Sequence, residues 1–512
     1  MLSLAIWCSF SVTLSSLAFA DVQLPAMFGD NMVLQRDIDV PLWGTANPHE
    51  TVTVKFLDQQ VIATTDDKGR WRVRLGPLSV GGPFDMTITG KNTVKFKNVL
   101  VGDVWICSGQ SNMAWTVRNS ANSAQEVATA HYPHIRLLNI QHIVADEPQA
   151  DITGKWVECG PKTVAGFSGT AYFFGRTLYK KLDIPIGLIH VSRGGSAVEA
   201  WMSRKALEAE PTAKPILDRF ERAVSEYPEA FKRYQEKLAK RKVRAAKAKA
   251  EGRPAPPVIY RPLGPGHWNT PCGLYNGNIA PLIPYAIKGA IWYQGEKNRS
   301  RAYQYRQLFP ALIQDWRRAW PQEDFPFLFV QLASHGKRRL EPMESQWAEL
   351  REAQSMTLTL PNTGMATIVD LDEADDLHPK NKQDVGRRLA LAAEAIAYHR
   401  NVVYSGPIYD SMTVEGNQIR LRFTHLGSGL KAKHSETFLI GFTVAGDDRK
   451  FVHADAHIDG NTVVVKSDRV SNPVAVRYAW AGNPACNLYN NEGLPASPFR
   501  TDDWPGITAE TR

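Results

Sequence analysis

Apolar residues recur at two different spacings along the chain and divide it into regions. Between residues 21 and about 100, Thr51-Val52-Thr53-Val54-Lys55-Phe56 and Trp71-Arg72-Val73-Arg74-Leu75 alternate apolar and polar positions. Gly44, Gly69 and Gly81-Gly82-Pro83 punctuate them. Period-two alternation between turn residues predicts half-buried strands, and the region reads as a small sandwich of about seven strands. From Gly102 the pattern changes. Val104 to Cys107, Ile186 to Val191, Gly289 to Tyr293, Phe327 to Leu332 and Met365 to Val369 are predominantly apolar runs without alternation, as expected of strands buried on both faces of a parallel sheet. Helical spacing falls between them. Tyr305, Leu308, Leu312 and Trp316 share one helical face, and Val385, Leu389, Ala392 and Ile396 share another. This alternation predicts an α/β fold with a parallel sheet. Residues 203 to about 257 interrupt it with a charged, helical excursion that returns through Arg253-Pro254-Ala255-Pro256-Pro257. From about Tyr404 the chain reads as β again, with strands expected at Asn417 to Phe423, Phe438 to Val444 and Asn461 to Val465.

A length of 512 residues accommodates two or three domains, each with its own core. The divisions expected are 1–20, 21–100, 101–400 with an insertion at about 203–257, and 401–512. The net charge of +8 does not point to nucleic acid, because Lys232 to Arg253 alone carries ten Lys or Arg against two Glu and accounts for all of it. That stretch lacks interleaved aromatics beyond Tyr234 and reads as a solvated helix. Leu2 to Phe19 is apolar and Ser-rich and ends in the small-x-small site Ala18-Phe19-Ala20. This predicts a cleaved export signal and a periplasmic or extracellular protein with no membrane attachment after cleavage. Cys8 leaves with the signal, and Cys107, Cys159, Cys272 and Cys486 remain, with their pairing undetermined. No Cys-x-x-Cys spacing appears, and no metal site is expected. Oligomeric state is not legible.

The candidate chemistry lies where the apolar runs end. Gly109-Gln110-Ser111-Asn112-Met113 follows the run to Cys107. A strand that ends in a Gly turn before a helix holds a serine hydroxyl at the sheet edge, where a nucleophile belongs. Met113 stands where the second Gly of a G-x-S-x-G elbow would be, which argues against a standard α/β-hydrolase. His378, in Asp375-Asp376-Leu377-His378-Pro379, is the candidate base. Gly194-Gly195 and Gln294-Gly295-Glu296-Lys297-Asn298 each follow another expected strand and offer oxyanion donors. Four polar motifs at the ends of parallel strands converge on one sheet edge, and together they point to hydrolysis of an ester by an activated serine.

On these residues the chain resembles the SGNH hydrolases, and within them the sialate O-acetylesterase family. The matching segments are Asp103 to Met113, Trp292-Tyr293-Gln294-Gly295-Glu296-Lys297-Asn298, His378-Pro379-Lys380-Asn381-Lys382, Tyr275-Asn276-Gly277, and Asn487-Leu488-Tyr489 with Phe499-Arg500-Thr501. The similarity spans about residues 24 to 505. It implies a flavodoxin-like three-layer catalytic domain flanked by N- and C-terminal β domains. It also implies a serine esterase that removes acetyl groups from sugar hydroxyls without a cofactor. Carried onto this chain, Ser111 is the nucleophile and supplies one oxyanion N–H, and Gly194 or Gly195 supplies a second. Gln294 or Asn298 supplies a side-chain donor, and His378 is the base. Gln110, Asn112, Arg193, Trp292 and Glu296 are candidate substrate contacts. Where relatives often read Trp-Gly-Gly-Thr, this chain has Arg193-Gly194-Gly195-Ser196, so its pocket wall differs.

Several alternatives stay open. If Asp375 to His378 turns, Asp375 meets the imidazole, the favoured geometry; if the segment is extended, Asp376 does. A Ser–His pair without either is the third form. The acetylated carbohydrate is a sialic acid, which needs a cation such as Arg193, or a plant hemicellulose such as xylan or xyloglucan. A reading from another class, a non-catalytic carbohydrate-binding protein, fits poorly with intact Ser111, His378 and Gln294.

Overall fold

The computed structural model describes residues 21–371, 373, 376–435 and 438–511. The expected export signal, residues 1–20, and Asp375 lie outside the described residues. The central sheet is built on β1, Thr93–Gly109, the longest strand of the chain. Its other strands are β2 (Tyr132–Asn139), β3 (Trp156–Cys159), β4 (Ile186–Ser192), β5 (Gly289–Tyr293), β6 (Phe327–Val330) and β7 (Thr363–Ala366). Their spatial order is β7-β6-β5-β1-β4-β2-β3. All neighbours run parallel except β3, an antiparallel edge. From β1 the chain first adds strands on one side, through β4, and then on the other, through β5. The two loops leaving β4 and β5 therefore diverge beside the end of β1, which opens a crevice there. Ser111 follows the turn at the end of β1 and opens the short helix α1 (Ser111–Ala114).

Helices cover opposite faces of this sheet. Trp105 of β1 packs edge-on against Phe174 of α2 (Gly169–Leu182), at 5.0 Å between ring centroids. Trp292 of β5 pairs in register with Ser108, whose side chain points away from that of Trp105, and packs on Trp316 of α4 (Ala302–Ala319). α2 lies against α6 (Lys382–Ile396), and α4 against α5 (Gln346–Met356). Between α2 and α4 falls α3 (Tyr227–Ala250), whose side chains are exposed or half-exposed apart from Ala248.

The pattern change at Gly102 falls inside one strand. The first half of β1 pairs with Gly81–Thr89 in the N-terminal β region, and its second half pairs with β4 and β5. Strands β2 and β3 escape the apolar-run reading because β2 carries Pro133, His134 and Arg136. Arg136 is buried, and its guanidinium donates to the Pro133, Asn31 and Asn98 carbonyls. After residue 404 a second cluster of buried apolar residues, Ile419 to Phe499, forms apart from the first. The strand expected over Phe438 to Val444 is two pieces, Phe438–Leu439 and Phe442–Ala445, because Gly441 turns the chain at φ 94°. Arg351, fully buried, donates to the Leu332, Ala333, Ala481 and Gly482 carbonyls and so joins the two regions. The four described cysteines are free thiols. Among the described residues no helix is long and apolar enough to cross a membrane.

Candidate active site

The turn after β1 needs its glycine. Gly109 has φ 141°, and a Cβ there would lie 2.2 Å from the Tyr293 carbonyl oxygen. That close approach lets the Gln110 N–H donate to the same oxygen at 2.9 Å and seats Ser111 above β5. Ser111 Oγ lies 2.9 Å from His378 Nε2, and His378 Nδ1 lies 3.1 Å from Asp376 Oδ1. A carboxylate only accepts, so Nδ1 carries the proton and Nε2 is left to accept from the Ser111 hydroxyl. The His378 backbone N–H also donates to Asp376 Oδ1, at 2.9 Å. This short side-chain-to-backbone turn brings residues two apart together. Trp115 stacks on the imidazole, with centroids 4.9 Å apart and planes 12° from parallel.

The protonation states fit this geometry. Burial lowers the His378 pKa below its ordinary value; Asp376 works against that, and the Lys382 and His335 charges add to the lowering. Asp376 is held below the usual carboxylate range, because the His378 bonds and charge outweigh the effect of burial. The imidazole is therefore neutral, and the carboxylate ionised, at neutral pH.

The loops after β4 and β5 form the other wall. A Cβ on Gly194 would sit 3.4 Å from Ser111 Cβ, so this backbone lies against the serine. Gly195, at φ 71°, lies beside Trp268. Among the described residues the N–H groups of Ser111, Gly194 and Gly195 have no acceptor. Gln294 and Asn298 differ. Gln294 spends both amide hydrogens, on the Ser196 carbonyl at 3.1 Å and on Asn298 Oδ1 at 2.7 Å, while its own oxygen accepts from Tyr305. Asn298 Oδ1 accepts from Gln294 and from the Val198 N–H, and Nδ2 donates once, to Glu199 at 2.9 Å. Among the described residues one Asn298 hydrogen has no acceptor. Glu199, which the sequence reading missed, is buried; burial opposes its charge, but the Arg301 ion pair outweighs that and keeps it ionised.

Of the expected substrate contacts, Arg193 alone borders the crevice. Its guanidinium lies 4.5 Å from the Trp268 ring centroid, donates to the Gly194 carbonyl, and has no carboxylate partner among the described residues. His267, beside Trp268, is pushed down to about 4 by burial and by the Lys297, Arg261 and Arg193 charges, which marks this rim as cationic. The other four expectations are corrected. Trp292 is fully buried among Trp201, Phe309 and Trp316. Gln110 is buried and accepts from the Gly295 and Lys297 N–H groups. Asn112 and Glu296 are buried and bonded to one another. Among the described residues no three metal-ligating side chains converge.

Residues 101–246 and 268–395 match the family described as carbohydrate esterase, sialic acid-specific acetylesterase. The chain is 31% identical to rat sialate O-acetylesterase and 32% identical to the mouse enzyme, over 93% of this chain and 93% of each relative. The crystal structure of a carbohydrate acetylesterase from Xanthomonas citri is similar with a TM-score of 0.80 and 36% identity, covering 94% of this chain and all of that one. The chain thus belongs to the sialic acid-specific acetylesterase family of carbohydrate esterases.

Proposed function

We propose that this carboxylic ester hydrolase, which cleaves O-acetyl esters of carbohydrates, works by a Ser111–His378–Asp376 mechanism through an acetyl-enzyme. The observation that carries the reading is the unbroken chain from Ser111 Oγ through His378 to Asp376, at 2.9 and 3.1 Å, beside backbone N–H groups that have no acceptor among the described residues. Ser111 Oγ attacks the acetyl carbonyl carbon as His378 Nε2 takes its proton. The oxyanion is met by the N–H of Ser111, by that of Gly194 or Gly195, and by the free Asn298 amide hydrogen. Collapse breaks the ester C–O bond, and the sugar hydroxyl leaves with the proton from His378. Water, deprotonated by the same imidazole, then releases acetate. Asp376 keeps one tautomer and stabilises the imidazolium. The doubly wound parallel sheet supports reading residues 101–400 as a flavodoxin-like SGNH domain, flanked by β domains at 21–100 and 401–512. The intact relay also weighs against a non-catalytic binding protein. Ser111→Ala should reduce hydrolysis of 4-nitrophenyl acetate to the roughly 10³-fold over water that an oxyanion site alone provides. Activity within a few-fold of the parent would sink the assignment.

We further propose a carboxylated acetyl sugar of the sialic acid class as substrate. The Arg193 guanidinium, over the Trp268 ring at the crevice rim and without a carboxylate partner among the described residues, supports it. Arg193→Gln should then raise KM for acetylated sialosides on the order of tenfold and leave acetylated xylo-oligosaccharides unaffected. Equal effects on both would favour the neutral hemicellulose reading. The Ala18-Phe19-Ala20 site supports export, so the mature chain should begin at Asp21; an uncleaved product recovered with membranes would contradict this.

A further inference from the structure

Beneath the serine lies a polar cluster that the reaction does not use. Asn112 Oδ1 accepts from Lys382 Nζ at 2.6 Å. Asn112 Nδ2 donates to Glu296 Oε1 at 2.7 Å and to the Leu377 carbonyl at 3.0 Å. One side chain therefore ties together the turn after β1, the loop after β5, the first residue of α6 and the residue preceding His378. Asn112, Glu296 and Lys382 are all buried, with Lys382 wholly so. A lysine in the first turn of a helix opposes the helix dipole, and burying it is costly without compensation. The compensation here faces the site: the Asn112 carbonyl, Glu296, the Tyr293 ring at 5.3 Å, and the Trp115 ring at 5.9 Å. Trp115 is the ring stacked on His378. Glu296 Oε2 has no partner among the described residues, so this carboxylate is not fully spent on structure.

We infer that Lys382 and Glu296, joined through Asn112, are positioning residues that hold Ser111 and His378 in register. Asn112 is bonded to Ser111 through the chain and to Leu377 through its amide, so tension on either loop reaches both reacting groups. The Lys382 ammonium adds an electrostatic effect. The groups facing His378 are Asp376 on its own loop, Lys382 on α6 and His335 on the loop after β6. Glu296, Asp376 and Glu373 face Lys382, and Lys380 faces Asp376. Burial pushes Lys382 down to about 7 against the pull of these carboxylates. Below that pH the cation disfavours a proton on His378, and the base stays available on the acid side.

The inference rests on the reading of Ser111 and His378 as the reacting pair. The test measures kcat, KM and the pH dependence of kcat/KM on 4-nitrophenyl acetate for Lys382→Met, Glu296→Gln and Ser111→Ala, with thermal melting as the folding control. Lys382→Met should lower kcat on the order of tenfold to a hundredfold, leave KM nearly unchanged, and move the acid limb up by roughly half a unit or more. Glu296→Gln, close to isosteric, should lower kcat without moving the limb upward, and it carries the test if Lys382→Met does not fold. An unmoved limb in Lys382→Met, whether kcat holds or falls with the melting temperature, overturns the inference, as does a Glu296→Gln enzyme with the parent kcat. An active Ser111→Ala would instead overturn the reacting pair itself.

Discussion

The two walls of the crevice are built to opposite standards. On one side His378 and Asp376 are partly exposed, their side chains retaining 24% and 42% of their accessible surface, and they are held by a short turn. On the other, Gln294, Asn298 and Glu199 are buried, and nearly every hydrogen-bonding position is occupied. The difference follows from what each wall is proposed to do. A base must exchange a proton and let charge come and go, so water nearby is tolerable. An oxyanion donor is useful only if it is already aimed and does not reorganise. Glu199 and Gln294 fix the Asn298 amide from both ends, and among the described residues one of its hydrogens has no acceptor.

Substitutions on the two walls should act differently. The largest effect after loss of the serine belongs to Asp376→Asn, which should lower kcat by about 10²-fold or more, because the amide no longer secures the Nδ1–H tautomer. Steady-state kinetics of Asp376→Asn beside Asp375→Asn decide it. A loss confined to the Asp375 variant would transfer the role, and a loss below tenfold in both and in the double variant would leave a Ser–His pair. Asn298→Ala should lower kcat by about 10²–10³ with little change in KM. Gln294→Ala acts only through Asn298 and should cost roughly tenfold. A Gln294 loss exceeding that of Asn298 would reverse the assignment. The acid limb of kcat/KM should fall below the ordinary imidazole value of about 6.5, because His378 is held down and must be neutral to accept the proton. A limb above that value would contradict the balance of charges described. The smallest effect is none. Neutralising the basic residues of α3 between Lys232 and Lys249, with Arg241 left to hold the Pro256 and Pro257 carbonyls, should leave turnover of 4-nitrophenyl acetate unchanged.

Legibility in the sequence follows the same division. Strands buried on both faces read as predominantly apolar runs, so β1, β4, β5 and β6 are visible, β7 is placed two residues late at its start, and β2, with its buried Arg136, is not seen. The residues that end these strands announce themselves by glycines and by acidic neighbours of a histidine. What supports them does not. Glu199, Trp115 and Trp268 acquire a role only once separate loops meet, and Lys382 looks like a surface residue of an amphipathic helix until its depth is known. Gln294 and Asn298 are indistinguishable as amides in a motif; only the count of spent hydrogens separates them. Trp292, an aromatic in a polar motif, invites a sugar-stacking role that its place in the core rules out.

Ser111 is proposed to carry the acyl group. Labelling with a fluorophosphonate, followed by mass spectrometry of the digested protein, tests it most directly. One adduct per chain is expected on the peptide containing Ser111, with activity lost in step with labelling and no adduct on Ser111→Ala. Stoichiometric inactivation with the adduct on any other residue would contradict it.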